Sequence, residues 1–338
     1  MKCVILGFGF LARYLLPCCE HLLGRCDGQT LAAVKGTPRD IEALRARYPF
    51  PVQAGGALEA LRSLRPDVVL LCVKPHQVAA VLEDAVKDPA VKGMWCVPKY
   101  SNPEGVIYSD ETIRRIANLK PAAPDFLLMW DNAYCIHEFD GEFVPFADII
   151  TLCREAGNPD MVFEYASTSK VTLPGAGVSV MAASVDNIKY MTGLLGIQTI
   201  SYDKVNQLRH VRFLKDKAHT LELMKQHAAI MKPKFEAVLS ALDREIAPLG
   251  IAQWKRPKGG YFVSVDTMDG LAKRTLALCK EAGVVMTGAG ATFPYGVDPR
   301  DRNIRIAPSL PPVEELEQAI AVFCTCLKLA ALEKLLAA

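Results

Sequence analysis

Met161-Val162-Phe163-Glu164-Tyr165-Ala166-Ser167-Thr168-Ser169-Lys170 is an apolar run that ends in small hydroxyls and one lysine. Its first half reads as a buried strand, and its end is a good place to make an imine. A lysine at a strand end can be partly desolvated, which lowers its pKa and frees the amine to attack an aldehyde. S-x-x-K by itself is a short pattern, and a surface lysine after a buried strand satisfies it equally. The residues at neighbouring strand ends decide between the two.

Two such ends precede it. Gly93 to Pro98 reads as a strand that runs into Tyr100-Ser101-Asn102-Pro103-Glu104-Gly105, where Asn-Pro and Gly mark a turn. Phe126 to Met129 reads as a buried strand that ends in Trp130-Asp131-Asn132-Ala133-Tyr134. A carboxylate in that place is where open α/β sheets put their chemistry. Taken singly, Asp131 suits a helix N-cap, Asn102 a turn and Tyr134 a packing position.

Taken in order, Asn-Pro-x-Gly, Asp-x-x-Tyr and Ser-x-x-Lys resemble the fold-type I pyridoxal-phosphate enzymes. The spelling is similar to one group of aspartate aminotransferases, through Lys99-Tyr100-Ser101-Asn102-Pro103, Trp130-Asp131-Asn132-Ala133-Tyr134 and Asn303-Ile304-Arg305-Ile306-Ala307-Pro308-Ser309. The likeness covers residues 85 to 335, roughly. It implies that Lys170 forms the internal imine and shuttles the proton between the substrate α-carbon and the cofactor. Asp131 would pair with the pyridine nitrogen, so that the ring accepts electrons. Tyr134 and Asn102 would hydrogen-bond the ring's phenolic oxygen, Ser167 and Ser169 would hold the phosphate, and Arg305 would clamp the substrate carboxylate. Many relatives place a phosphate-binding arginine where this chain has Val178. The implied partners are an amino acid such as aspartate and a 2-oxo acid such as 2-oxoglutarate, and the implied assembly is a homodimer.

The start of the chain has a different character. Cys3 to Leu6 is a short apolar strand, followed at once by Gly7-Phe8-Gly9-Phe10-Leu11-Ala12 and a helix-like run. This is G-x-G-x-x-A in its proper setting: Gly7 makes the turn, Gly9 admits a pyrophosphate and Ala12 allows close helix–strand packing. Leu31 to Val34 reads as the second strand, and Lys35, Thr37 and Arg39 follow where an acidic ribose reader would bind NAD. Basic residues there suit a 2′-phosphate, hence NADP. With Pro66-Asp67-Val68-Val69-Leu70-Leu71-Cys72-Val73-Lys74-Pro75-His76-Gln77, residues 1 to 86 resemble the N-terminal domain of pyrroline-5-carboxylate reductase. That likeness places Val73, Lys74 and Pro75 against the nicotinamide side of the cofactor.

The whole chain has 338 residues, 51% hydrophobic and 22% charged, enough for two ordinary globular cores. Its net charge of +2 is spread along the sequence, which argues against nucleic acid or an acidic membrane as partner. Eleven cysteines without a C-x-x-C pair read as reduced thiols and exclude a zinc site by spacing, so no metal is expected. No apolar run approaches ~18 residues, so no membrane span is expected, and the cytoplasm is the default location.

The expected fold class is α/β. A Rossmann-like segment at 1–86 leads into the large domain of the transferase fold at 87–232, a mostly parallel sheet with helices on both faces. A smaller α+β domain at 233–338 ends the chain. A long helix is expected from Val205 to Met231, punctuated by Lys232-Pro233, then helices Phe235–Ile246, Leu271–Ala282 and Val313–Leu336. The aminotransferase's Gly/Ser phosphate loop and ring-stacking aromatic are not found before Asn102, and the join falls near Ala85–Asp88. Two alternatives therefore stand beside an aminotransferase: an NADP-binding oxidoreductase of the reductase type, and an inactive hybrid.

Overall fold

The computed structural model describes residues 82–293 and 296–337 in full, and before them the backbone of four strands. Those strands are β1 (Cys3–Leu6), β2 (Leu31–Lys35), β3 (Val52–Ala54) and β4 (Val68–Leu71). They form one all-parallel sheet in the order β3-β2-β1-β4, with Cys3 opposite both Leu31 and Val68. The first strand lies inside and the order reverses about it, as in a dinucleotide-binding half. Gly7, Gly9, Ala12, Thr37, Arg39, Val73, Lys74 and Pro75 lie outside the described residues; Lys35 ends β2, opposite Ala54.

A second sheet has the order β5-β6-β7-β8. Its strands are β5 (Gly93–Cys96), β6 (Leu127–Asp131), β7 (Val162–Ser167) and β8 (Ser179–Ala183). The first three run parallel, and β8 turns back antiparallel to β7. Between β5 and β6 lies helix α1 (Asp110–Ala117), and between β6 and β7 lies α2 (Ile149–Glu155). Ser109 caps α1 by accepting from the Thr112 backbone N–H at 3.1 Å, and Asp148 caps α2.

Alternation along β6 sets the function of its two faces. Leu128 and Trp130 are buried against Ile113 and Ile116 of α1 and Ile149 and Cys153 of α2. Met129 and Asp131 point to the opposite side and are half-buried. The packing of Trp130, edge-on to Tyr108 at 5.9 Å, therefore fixes where the Asp131 carboxylate emerges.

After β8 come α3 (Val185–Gln198), α4 (Lys204–Leu214) and α5 (Lys217–Glu245). A third, antiparallel sheet of order β11-β10-β9 follows, from β9 (Ala252–Trp254), β10 (Val263–Thr267) and β11 (Asn303–Ile306). Helices α6 (Ala272–Glu281) and α7 (Val313–Leu336) complete this part. Its core joins Phe235, Val238 and Leu242 of α5 to Val263, Val265, Ile304, Phe323 and Leu327.

Two helix expectations are corrected. The run expected as one helix from Val205 to Met231 breaks at Lys215, whose φ of 57° leaves the helical region. Asp216 then caps a new helix by accepting from His219 N–H at 2.8 Å. Conversely, Pro233 does not end a helix but lies inside α5. Lys234, Phe235, Val238 and Leu242 just beyond it are buried, and Phe139 packs on Phe235 at 4.1 Å. That burial outweighs the hydrogen bond proline removes.

Candidate active site

Ser167 ends β7 and begins a tight 3₁₀ turn, Thr168–Lys170. Its hydroxyl accepts from Ser169 N–H at 3.1 Å and lies 2.8 Å from the Ser169 hydroxyl. Thr168 ties the turn to the next loop: its N–H donates to the Val178 carbonyl at 3.0 Å, and its hydroxyl accepts from Val178 N–H at 2.9 Å. Gly177 makes that approach feasible, because a Cβ there would stand 2.5 Å from the Ser169 hydroxyl oxygen.

The turn delivers Lys170 to the surface rather than into a desolvated strand end, so the expectation of a partly buried lysine is not met. Its ammonium nitrogen stands 4.7 Å from the centroid of the Tyr134 ring. Its carbonyl is held from two sides, accepting from the Tyr261 hydroxyl at 3.2 Å and from His137 Nε2 at 3.2 Å. Burial holds His137 below the usual imidazole range. A neutral ring that donates from Nε2 follows from the carbonyl it faces.

Asp131 sits at the last position of β6. Its carboxylate accepts from the Trp95 indole N–H at 3.3 Å and from Ala133 N–H at 3.1 Å. Among the described residues no lysine or arginine lies within ion-pair distance of it. Trp95 is itself stacked on Tyr165 of β7, rings 2° from parallel and centroids 6.0 Å apart.

Tyr134 is buried three residues on. Burial, then the charge of Asp131, pushes its phenol up to about 12, while Arg305 and the Asn102 side chain pull the other way. The hydroxyl is therefore a protonated donor at neutral pH. Asn102 precedes a cis peptide bond to Pro103. Its side-chain oxygen accepts from Arg305 Nη1 at 3.1 Å, a contact made across 203 residues of chain. Arg305 reaches it from β11, its guanidinium 4.4 Å above the Phe262 ring.

The seven residues expected in the later part of the chain, Asn102, Asp131, Tyr134, Ser167, Ser169, Lys170 and Arg305, thus meet around the ends of β5, β6, β7 and β11. Sequence reasoning missed Trp95, His137 and Tyr261. Only the last had a signal: Lys258-Gly259-Gly260-Tyr261-Phe262 carries two glycines, and a Cβ at Gly259 would stand 2.3 Å from the His137 carbonyl oxygen. No cluster of three or more metal-ligating side chains is present among the described residues, and none of their helices is long and apolar enough to cross a membrane.

A lysine, an aspartate and a tyrosine at the ends of parallel strands, with an arginine brought in from a separate antiparallel sheet, define an α/β protein of the aminotransferase class. The chain belongs to the aspartate amino-transferase family, whose model matches residues 68–338. It is 48% identical over 252 residues to the aspartate aminotransferase of Corynebacterium glutamicum, a match that takes in 75% of this chain and 58% of that protein. The chain thus spans under two thirds of that relative's length. The crystal structure of an aspartate transaminase from the same organism superimposes with a TM-score of 0.75 at 40% identity, covering 92% of this chain and 70% of that one. The α-aminoadipate aminotransferase LysN of Thermus thermophilus shares the fold, with a TM-score of 0.64 at 21% identity over 98% and 72% of the two chains. A second family model, described as NADP oxidoreductase coenzyme F420-dependent, matches residues 2–94, so the two matches overlap over 68–94.

Proposed function

We propose that this chain transfers the amino group of aspartate or a similar amino acid to a 2-oxo acid, with pyridoxal phosphate as cofactor and a homodimer as the working form. The observation that carries the reading is the convergence of Lys170, Asp131, Tyr134, Asn102 and Arg305 on one place. Bound pyridoxal phosphate supplies an aldehyde that takes up amines covalently and a ring that accepts electrons.

The residues present fit that group. Asp131 is a half-buried carboxylate without a cation among the described residues, and a protonated ring nitrogen would fill that role. The protonated Tyr134 hydroxyl and the Asn102 amide suit a ring oxygen. Ser167, and Ser169, which the glycine at 177 leaves room for, suit the phosphate. Val178 N–H is already given to Thr168, so it adds nothing there.

Each remaining role falls to a side chain of this protein. Lys170 Nζ, exposed and held over the Tyr134 ring, is the amine that would hold the cofactor and then carry a proton to and from the substrate α-carbon. Arg305 presents a planar fork that matches a carboxylate, a geometry lysine lacks. His137 and Tyr261 hold the Lys170 carbonyl and so orient its backbone.

The proposed division is a dinucleotide-type segment at 1–86, a cofactor domain at 87–232 and a small domain at 233–338. Borohydride treatment after addition of pyridoxal phosphate, followed by peptide mass mapping, tests the assignment. The reading expects the label on Lys170 and its loss in Lys170→Ala; a label elsewhere, unchanged in that variant, would remove it.

A second reading concerns the first segment: that residues 1–86 bind NADP through Gly7, Gly9, Ala12, Lys35, Thr37, Arg39, Val73, Lys74 and Pro75. The order β3-β2-β1-β4 and the match over residues 2–94 support it. It expects the intact chain to quench NADPH fluorescence and Gly9→Trp to lose the effect; no quenching would dismiss it.

A further inference from the structure

Behind the turn that carries Lys170, the loop from Val171 to Ala176 meets α4 and the first half of α5 around a cavity of about 640 Å3. Val171, Leu173, Ala176, Phe213 and Leu223 give it apolar walls, and its polar groups are Thr172, Arg209, Arg212, His210 and His227. Among the described residues no carboxylate lines it. Arg209 and Arg212 stand three residues apart on α4, hence next to one another on its surface. Among the described residues neither has an acidic partner. Two neighbouring guanidiniums repel each other, and one anion between them relieves that repulsion.

The wall is built rather than loose. His210 Nδ1 donates to the Asn206 carbonyl at 2.9 Å, which places Nε2 against the Thr172 hydroxyl, also at 2.9 Å. That hydroxyl in turn lies 3.1 Å from the Thr168 carbonyl, inside the Lys170 turn. Asn206 also donates to the Ala176 carbonyl at 2.8 Å, closing the loop onto α4. Small-molecule sites have this make-up and size: apolar walls, a few convergent polar groups and some hundreds of Å3.

We propose that this cavity binds an organic anion, a carboxylate or phosphate ester joined to an apolar body. The acid end lies against Arg209 and Arg212, whose forks match either group. The body lies along Leu173, Phe213 and Leu223. The site shares no residue with the Lys170, Asp131 and Arg305 constellation, so it stands whether or not that constellation is catalytic. Its hydrogen bonds to Thr168 make the Lys170 turn its nearest neighbour.

Titration calorimetry of the intact chain with naphthyl phosphate, naphthoate and neutral naphthylmethanol tests the proposal. Both anions are expected to bind, with the alcohol about tenfold weaker or worse, the loss expected of charge-assisted hydrogen bonds. The stronger of the two anions identifies the acid group of the natural ligand. Arg209→Gln and Arg212→Gln are each expected to weaken naphthyl phosphate by a similar factor, and Lys170→Ala to leave it unchanged. Equal affinity for the three probes, no binding of naphthyl phosphate, or arginine variants that bind as well as the parent would overturn it. Should an arginine variant lose its circular-dichroism melt, the comparison of anion with alcohol on the unaltered chain decides.

Discussion

Lys99 is fully buried, and its ammonium reaches the Glu138 carboxylate and the Val144 carbonyl beneath the rings of Phe143, Tyr100 and Phe146. Removing one member of such a pair strands the other charge in a poor solvent. Lys99→Met is therefore expected to cost about 3–5 kcal/mol in denaturant unfolding. A loss below about 1 kcal/mol would show the pair to be as weak as an exposed one. Glu164 offers the opposite case. Burial, reinforced by Asp148, holds its carboxyl above the usual range, against a smaller pull from Asn132. A raised folded pKa means that stability falls as pH climbs past the unfolded value near 4.5. Glu164→Gln should accordingly stabilise the chain at neutral pH, and the difference from the parent should vanish below about pH 4. Urea melts at the two pH values check this. At this scale the motif residues were legible because strand ends spell them locally. Trp95, His137 and Tyr261 were not, since each acts through a contact far along the chain: Trp95 on Asp131, the other two on the Lys170 carbonyl.

Helix ends show how much of an element is written nearby. Ser109 before Asp110-Glu111 signals the start of α1, and its hydroxyl meets Thr112 N–H as that pattern requires. Ser109→Ala should lower stability by about 1 kcal/mol, read from the shift of the unfolding midpoint. The join between α4 and α5 carried a fainter mark, Asp216 alone, without glycine or proline beside it. Pro233 misled in the other direction, because proline is a local rule and the burial of Phe235 against Phe139 is a tertiary fact. Pro233→Ala restores an N–H for the Ala229 carbonyl. It should stabilise α5 by about 1–3 kcal/mol; a less stable variant would mean that the packing beyond the proline depends on it. The antiparallel turn of β8 was likewise invisible, since its short apolar run fits either direction.

At the scale of the molecule, the α/β class was legible from the strand ends and the resemblance they carry; the three-stranded antiparallel sheet was not, since of its strands only the one opened by Lys258–Phe262 was marked. Nor was it legible which surfaces remain open. Helix α3 has no buried residue, and Tyr190, Leu194 and Ile197 form a stripe at i, i+4 and i+7 that stays 45–88% exposed. The homodimer proposed above would cover this stripe with a second copy of the chain. Light scattering should give twice the chain mass, falling to a monomer in Ile197→Lys; a monomeric parent would contradict the dimer.

On the proposed function, the strand ends around Lys170 form a working pyridoxal-phosphate site in this chain. Adding pyridoxal phosphate to the purified protein, desalting it and recording the absorbance tests that most directly. A protein-bound cofactor band is expected that survives desalting, shifts on addition of aspartate and is absent in Lys170→Ala. A colourless protein would contradict it and leave the motifs as a mark of ancestry alone.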